Sequence, residues 1–228
     1  MSLILCIETG TEVCSVALAR DGQVVAVRES PEGRDHARLL GPFVEDVLRD
    51  AGVEARALDA VAVSSGPGSY TGLRIGVSLA KGLCYGLGIS LIGVGSLQAL
   101  CVVVRETIGE ISPTARLCPM IDARRMEVYA QVFEAQGAPL SEVTAEVITP
   151  ESFAAYNDGA PFYIFGDGAA KCREALPWAT FVDVTPSARG QAALSAEAFA
   201  AGRFEDVAYF EPFYLKDFVI KTSTKKLF

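Results

Sequence analysis

The chain is 228 residues long, half of its residues are apolar, 21% are charged, and its formal net charge is −8. This length suffices for one large domain or two small ones with a buried core, and the apolar content excludes an intrinsically disordered chain. The acidic balance argues against independent binding to a polyphosphate such as RNA, because the phosphate backbone selects basic surfaces.

The cysteines and the apolar stretches indicate the cellular compartment of the protein. The six cysteines include no C-x-x-C pair and no spacing typical of metal ligands, so we expect reduced, buried thiols and a cytoplasmic protein. The first apolar run has no basic region before it and is interrupted at Glu8, so no signal peptide is expected. Residues 82–104 carry no charge, but glycines, serines and Gln98 divide them into a helix end, a strand and a second helix, so no membrane span is expected.

Strands open the predicted order of elements. Three runs of β-forming residues occur at 3–8, 14–20 and 23–29. Asp21 and Gly22 between the second and third runs are a strong hairpin signal, so these strands are predicted to be antiparallel. Apolar residues then repeat with helical spacing over 35–50, and Pro42 inside this pattern implies either a helix start near Gly41 or a kink.

Residues 64–76, with the sequence SSGPGSYTGLRIG, are the most unusual stretch of the chain. They follow a buried strand predicted from Ala60 and precede a helix predicted over 72–87. Glycines in such a turn let backbone N–H groups point outward beside the positive end of a helix, where an anion could bind. Neither nucleotide-binding glycine pattern is matched, so a structural role in the turn and in helix packing is the alternative.

The remaining predicted elements fall into two halves. A strand at 89–94 and a helix at 96–106 complete the first, and Gly, Ser, Pro and Thr residues around 109–115 predict a lobe boundary. We therefore assign 1–108 to an N-terminal lobe and 109–228 to a smaller C-terminal lobe. The second lobe is predicted to contain strands at 116–122, 127–134, 142–148, 162–165 and 181–184, and helices at 150–156, 169–176 and 192–201. A solvated basic tail, preferred over an RNA contact, is predicted from Lys216, Lys221, Lys225 and Lys226.

The stretch from Gly66 to Gly76 resembles the signature of the TsaB (YeaZ) family, which takes part in making threonylcarbamoyladenosine in tRNA. Residues 4–18, 121–129 and 212–216 also resemble the family pattern, so the resemblance runs almost end to end. It implies an α/β, two-lobed, actin-like fold (the ASKHA, ribonuclease H-like class), each lobe a mixed sheet flanked by helices. The residues of the signature loop are Gly66, Pro67, Gly68, Ser69, Tyr70, Thr71, Gly72 and Arg74.

The resemblance also implies a function. The family supports the catalytic subunit TsaD in transferring a threonylcarbamoyl group to adenosine of tRNA, so we expect a non-catalytic partner subunit. It implies a TsaD-like partner, a TsaE-like ATPase, a homodimer when the partner is absent, and only indirect contact with tRNA. No cofactor is expected to be required, although an adenine nucleotide at a partner interface is compatible with an ATPase in the assembly.

A small-molecule, ATP-dependent kinase of the actin-like fold is the alternative function, with a metallopeptidase as a third. A kinase would hold nucleotide phosphates at the first hairpin, which here contains Glu8, Thr9, Gly10 and Thr11. Glu8 stands where the family pattern usually has Asp, and it could instead close the strand and cap local N–H groups. A TsaD-like metal site needs two histidines on one helix turn, whereas this chain has only His36, so neither a metal site nor a catalytic residue is predicted.

The helix surfaces of the chain indicate its function more strongly than its few candidate catalytic residues do. Gly72, Gly76 and Ala80 recur every four residues, and they leave a helix face that either meets a partner or packs on the protein's own sheet. Arg74 is expected to bond loop carbonyls or to reach an acidic partner group. Asp122 is expected to face the cleft between the lobes or to serve a turn. The predicted partner interface consists of His36, Leu39, Leu40, Phe43, Gly72, Leu73, Gly76, Val77 and Ala80.

Overall fold

A computed structural model describes residues 1–30 and 35–215, and the predicted lysine tail lies outside the described residues. The first half contains the strands β1 (Leu3–Glu8), β2 (Cys14–Arg20), β3 (Gln23–Ser30), β4 (Ala60–Gly66) and β5 (Ser90–Gly95). They form one sheet in the order β3-β2-β1-β4-β5. β1, β2 and β3 are antiparallel neighbours, which confirms the predicted opening, whereas β1, β4 and β5 run parallel.

Helices cover both faces of this sheet. They are α1 (His36–Asp50), α2 (Tyr70–Leu87) and α3 (Ser96–Ile108). Because side chains alternate along a strand, Leu5 and Ile7 of β1 pack in the core beneath α1 and α2, while Ile4 and Cys6 lie in a second core on the opposite face. This burial on both faces accounts for the unbroken apolar run of β1. Within residues 1–30 and 35–215, no helix combines the length and apolar character that a membrane span requires.

Helix α1 tolerates its internal proline. The alternative start near Gly41 is wrong, because Arg38 N and Leu39 N already donate to the Asp35 carbonyl at 2.9 Å and the helix then continues to Asp50. Pro42 is exposed. The carbonyl that loses its helical partner therefore lies on the solvent side, where water can replace the missing N–H group.

The second half forms a sheet of six strands, most of them shorter than those of the first sheet. Its strands are β6 (Arg116–Asp122), β7 (Glu127–Ala130), β8 (Phe133–Glu134), β9 (Thr144–Val147), β10 (Phe162–Phe165) and β11 (Thr180–Val182), in the order β11-β10-β6-β7-β9 with β8 beside β6. The predicted strand at 127–134 is broken after Ala130. The helices predicted at 150–156 and 169–176 are wrong, since 3-10 turns form there at Ala154–Tyr156 and Ala170–Cys172. Such short segments gain too few i→i−4 bonds to offset helix nucleation.

The chain then returns to the first sheet. Helix α4 (Ala192–Ala200) follows a 3-10 turn at Ala188–Gln191, and its alanines lie in the same core as the even-numbered residues of β1. Gln191 is fully buried, and its Nε2 donates to Ile7 O at 2.9 Å and to Ser64 Oγ at 3.2 Å. The division after residue 108 stays a prediction, but this later segment completes the core of the first lobe.

Gln191→Ala is expected to lower the free energy of unfolding by about 1–3 kcal/mol, because the change removes a buried donor from the Ile7 carbonyl. Gln98 is an exposed residue of α3 and offers a matched control. Gln98→Ala should change stability by less than about 0.5 kcal/mol. Urea denaturation followed by circular dichroism measures both, and equal midpoints for the two variants would contradict the prediction.

Candidate functional site

The signature loop, residues 66–74, connects β4 to α2 at the carboxyl ends of the parallel strands. The helix begins at Tyr70, two residues before its predicted start, because Ser69 caps it. The Ser69 hydroxyl accepts a hydrogen bond from Gly72 N at 3.3 Å, and the Ser69 carbonyl accepts one from Leu73 N at 2.8 Å. A serine at this position thus satisfies N–H groups of the first turn.

The signature loop lies directly against the first hairpin. Ser69 N donates to Gly10 O at 2.6 Å. A Cβ atom on Gly68 would collide with the Gly10 carbonyl, and one on Gly72 would collide with the Thr9 carbonyl. Because any side chain would push the two segments apart, these glycines are needed for backbone-to-backbone packing. This contact supports the structural interpretation of the glycine pattern.

Glu8 closes the end of β1. Its side chain is 1% exposed, and Oε1 accepts a hydrogen bond from Gly10 N at 2.7 Å. Burial raises the pKa of the Glu8 carboxyl, while hydrogen bonds involving Ser64, Gly10 N and Gln191 oppose that shift. The carboxyl group therefore caps a local N–H group, which is the structural role considered for it.

The hairpin residues do not fit a nucleotide phosphate or a magnesium ion. Glu8, Thr9, Gly10 and Thr11 are all buried. Gly10 N is already bonded to Glu8, and Thr11 Oγ1 accepts from Val13 N at 3.3 Å. Both ligands need free donors or oxygens, and here the Gly10 N–H and the Glu8 carboxyl are bonded to each other, although Gly10 and Thr11 border the cleft described next. The phosphate hairpin stays a prediction that this packing disfavours.

A cleft of about 1130 Å³ lies between the hairpin and signature loop on one side and the β6–β7 turn on the other. Asp122 at the end of β6 lines this cleft, as one of its two interpretations predicted. It forms an ion pair with Lys171 and accepts a hydrogen bond from Arg124 N at 3.2 Å, so it also holds the turn. Lys171 in addition donates to the Glu127 carbonyl at 2.8 Å.

Asp167 is a cleft residue that sequence reasoning missed. Its Oδ1 accepts a hydrogen bond from Asp122 N at 3.2 Å. Desolvation within the cleft raises the pKa of Asp167 to about 6, the hydrogen bond opposes this, and the negative charges of Asp122 and Glu12 add to it. The Gly166-Asp167-Gly168 turn after a predicted strand was the available signal, since polar residues at strand ends often face a cleft.

His36 ties α1 to the first hairpin. It is buried, and its Nε2 lies 3.2 Å from the Val13 carbonyl. Across the two described ranges, 1–30 and 35–215, no group of three or more His, Cys, Asp and Glu side chains is placed to hold a metal ion.

Most residues of the predicted partner interface face inward. Leu39 and Phe43 are partly buried, and the other seven are buried: His36, Leu40, Gly72, Leu73, Gly76, Val77 and Ala80. The small-residue face packs on the protein's own first hairpin, where a Cβ atom on Gly76 would meet the Thr9 side chain. A partner that binds these helices would therefore contact their outer faces, and the interface itself stays a prediction.

The outer faces of α1 and α2 enclose an apolar groove of about 590 Å³. The groove is lined by Ala37, Leu40, Gly41, Tyr70, Thr71, Arg74, Ile75, Ser78 and Leu79. Ile75 and Leu79 were missed in the sequence, although their spacing of four residues marks a second apolar stripe along α2. The groove differs from the predicted interface, because Leu40 is the one residue common to both sets.

Arg74 has aromatic partners. Its guanidinium carbon lies 4.2 Å from the centre of the Tyr70 ring, and its Nε donates to the Tyr214 hydroxyl at 3.3 Å. The bonds predicted from Arg74 to loop carbonyls are not formed among the described residues. The guanidinium group instead stacks on the signature loop through Tyr70.

Two mixed sheets flanked by helices, with a cleft between them, define the two-lobed actin-like class of α/β proteins. The activator of 2-hydroxyisocaproyl-CoA dehydratase from Clostridium difficile, solved with bound ADPNP, has a TM-score of 0.51 to this chain. The two are 10% identical, and the match covers 88% of this chain and 97% of that one, so it shows the fold alone.

Closer comparisons identify the family. A family model described as TsaD, tRNA N6-adenosine threonylcarbamoyltransferase, matches residues 20–222. A crystal structure from Pseudomonas aeruginosa, described as an uncharacterized protein with similarity to peptidase YEAZ, is 30% identical with a TM-score of 0.83 and covers 95% of this chain and 100% of that chain. The tRNA threonylcarbamoyladenosine biosynthesis protein TsaB of Escherichia coli (strain K12) is 38% identical over 150 residues, which are 65% of this chain and 63% of that protein. The chain therefore belongs to the TsaB (YeaZ) family, and its match spans slightly less than two thirds of that curated relative.

Gly72→Ala is expected to destabilise the protein by about 3 kcal/mol or more, because the added methyl group collides with the Thr9 carbonyl. Gly82 on the same helix has open space around its Cα and is the matched control. Gly82→Ala should stabilise by up to about 1 kcal/mol through helix propensity. Thermal and urea unfolding measure both variants, and an equal effect of the two changes would contradict the close packing.

The Asp167 carboxyl is expected to titrate with a midpoint of about 6 in an NMR titration of side-chain carboxyl carbons. Glu12→Gln should lower this midpoint, because it removes a nearby negative charge, and Glu197→Gln on α4 is the control. Since the folded pKa lies above the ordinary aspartate value of 3.8, Asp167 favours the folded state most below pH 4 and loses that contribution as the pH rises through 6. A midpoint near 4 in the native protein would contradict the cleft environment.

Proposed function

We propose that this chain is a non-catalytic partner subunit that supports a TsaD-like catalytic subunit in transferring a threonylcarbamoyl group to adenosine of tRNA. The observation that carries the proposal is the similarity to YeaZ over 100% of that solved chain, together with a TsaB relative named for threonylcarbamoyladenosine biosynthesis. The physical features of the site agree with this role and not with an independent enzyme.

The first of these features is that the Gly10 N–H and the Glu8 carboxyl of the first hairpin are already bonded to each other. An actin-like kinase would present the hairpin N–H groups and a carboxylate to a magnesium nucleotide. Here Gly10 N is bonded to Glu8, and the Glu8 carboxyl is buried beneath the signature loop. The kinase alternative is therefore not favoured, and no residue of the cleft is assigned a catalytic role.

The groove between α1 and α2 is the second feature. It is apolar, it lies on the outer faces of two long helices, and its volume of about 590 Å³ suits side chains from another helix. We assign this surface to the TsaD-like subunit, and the same surface would form a homodimer when that subunit is absent. A TsaE-like ATPase, and an adenine nucleotide between subunits, would join at the edge of this assembly.

The charge of the chain bears on how tRNA is approached. A net charge of −8 disfavours direct binding to a polyphosphate, so the catalytic partner is the subunit expected to hold tRNA. All six cysteines are buried and free of disulfides, which is compatible with the cytoplasm that we propose as the location.

Reconstitution tests the proposal. Threonylcarbamoyladenosine formation by the TsaD-like subunit and the other components should require this chain. Ser78 is an exposed residue of the groove, and Ser78→Arg should lower product formation at least tenfold because a bulky charge enters an apolar surface. Ser112 is exposed in the segment between α3 and β6, and Ser112→Arg is the matched control that should leave activity unchanged.

Two outcomes would contradict the proposal. Modification that proceeds equally well without the chain would remove its role as a required subunit. Hydrolysis of magnesium ATP by the isolated chain, with loss of that turnover in Glu8→Gln, would favour the kinase.

A further inference from the structure

A C-terminal strap, residues 203–215, runs from the end of α4 across the first lobe to the signature loop. Glu205 N donates to the Leu91 carbonyl of β5 at 2.9 Å. Farther along, Lys81 of α2 donates to the carbonyls of Ala208 and Phe210 at 3.0 and 3.2 Å. The strap is thus fastened to the edge of the sheet and to α2 before it reaches the loop.

The end of the strap is fixed to the signature loop by its backbone. Phe213 N donates to the Ser65 carbonyl at 2.7 Å, and the preceding Pro212 is buried. A Cβ atom on Gly66 would lie 2.7 Å from the Phe213 carbonyl, so strap and loop are in direct backbone contact. This attachment determines where the next side chain, Tyr214, can lie.

The Arg74 side chain lies against Tyr70, beside the contact between the Tyr70 and Tyr214 rings. The two rings are 4.8 Å apart between centroids, and the Arg74 guanidinium carbon lies 4.2 Å from the Tyr70 ring and 6.0 Å from the Tyr214 ring. The Tyr214 hydroxyl accepts the Nε–H of Arg74 at 3.3 Å. This bond uses Nε, and the two terminal nitrogens of a guanidinium match a carboxylate in geometry.

The charge of Arg74 is not paired within the described chain. No carboxylate of residues 1–30 and 35–215 lies within 4.0 Å of it, although Glu211 of the strap attracts it from a longer distance. Arg38 on the facing helix α1, by contrast, forms an ion pair with Asp35. Arg74 also lines the groove, where the other lining side chains are apolar or carry only a hydroxyl. The groove therefore combines an apolar floor with a single fixed cation at its rim.

We propose that the C-terminal strap holds Arg74 as a pre-oriented receptor for a carboxylate on the TsaD-like subunit. The occupant of the groove is an amphipathic helix of that subunit, whose apolar side chains fill the groove and whose Asp or Glu, one turn away, meets Arg74. This inference rests on the proposed function and adds the chemistry that the partner must present. Charge complementarity carries it, because a chain with net charge −8 attracts an acidic helix only where a local cation has no close ion pair, as Arg74 does among the described residues.

Tyr214 acts through Arg74 and is a positioning residue. A free arginine loses side-chain entropy when it pairs, and a stacked and hydrogen-bonded one has already lost most of it. Removing Tyr214 should therefore weaken partner binding only while Arg74 is present. A purely structural role of Tyr214 would weaken binding in either background.

Isothermal titration calorimetry of the full chain with the TsaD-like subunit measures these effects. Arg74→Ala should weaken binding at least tenfold, Arg74→Lys by less, and Tyr214→Ala about fivefold. Tyr214→Phe keeps the ring and should retain most of the affinity. In the Arg74→Ala background, Tyr214→Ala should add no further loss. Arg203→Ala and Tyr209→Ala, exposed residues of the same strap, are the matched controls.

Salt and charge reversal test the partner's chemistry. The dissociation constant of the native chain should rise more steeply with ionic strength than that of Arg74→Ala. Arg74→Glu should abolish binding, and one Asp→Lys or Glu→Lys change among the surface helices of the TsaD-like subunit should restore it. Thermal unfolding of each variant confirms that the fold is retained.

Three results would overturn the inference. Native-like affinity of Arg74→Ala would remove the receptor while leaving the proposed function intact, since the complex still forms. If Arg74→Ala lost self-association in sedimentation experiments but kept its affinity for the TsaD-like subunit, the groove would be assigned to a second copy of this chain. Failure of the native chain to bind the TsaD-like subunit at micromolar concentrations would remove the proposed function as well.

Discussion

Close contact between two backbones organises this protein. The carbonyls of Thr9 and Gly10 in the first hairpin approach the signature loop so closely that Gly68 and Gly72 cannot carry a side chain. Loop and hairpin each lie at the carboxyl ends of parallel strands, the place where α/β folds commonly bind ligands. In this chain the two segments also contact each other there, through backbone groups.

The contact between the hairpin and the signature loop affects the structure on both sides of the loop. Toward the cleft, Glu8 is drawn into the core and caps Gly10 N, so its carboxyl group is not open to the cleft. Toward the outside, α2 is pressed onto the hairpin with its small residues inward, and its other face, together with α1, forms the apolar groove. A chain built in this way retains the actin-like architecture and presents an apolar groove on its outer surface.

Much of this fold could be predicted from local signals. The first hairpin has Asp21-Gly22 between strands, and the alternation of the first strands and the spacing of α1 are regular, so these elements form where they were expected. The predictions failed in the second lobe, where short segments such as 169–176 depend on tertiary packing more than on propensity. At the site, the direction of the small-residue face could not be predicted, because a stripe of Gly72, Gly76 and Ala80 allows close approach of any backbone. Tyr214 is 140 residues from Arg74 in sequence, and no periodicity connects residues so far apart.

The return of α4 to the first sheet also bears on synthesis of the chain. Gln191 and the alanines that follow it complete a core that begins with β1, so residues of the first strand must meet residues that are translated 184 positions later. Until then one face of the nascent sheet lacks its helix, and exposed apolar surface of this kind is where chaperones act. The core of the first lobe is therefore completed only after the strands of the second sheet have been translated, although its own strands are translated first.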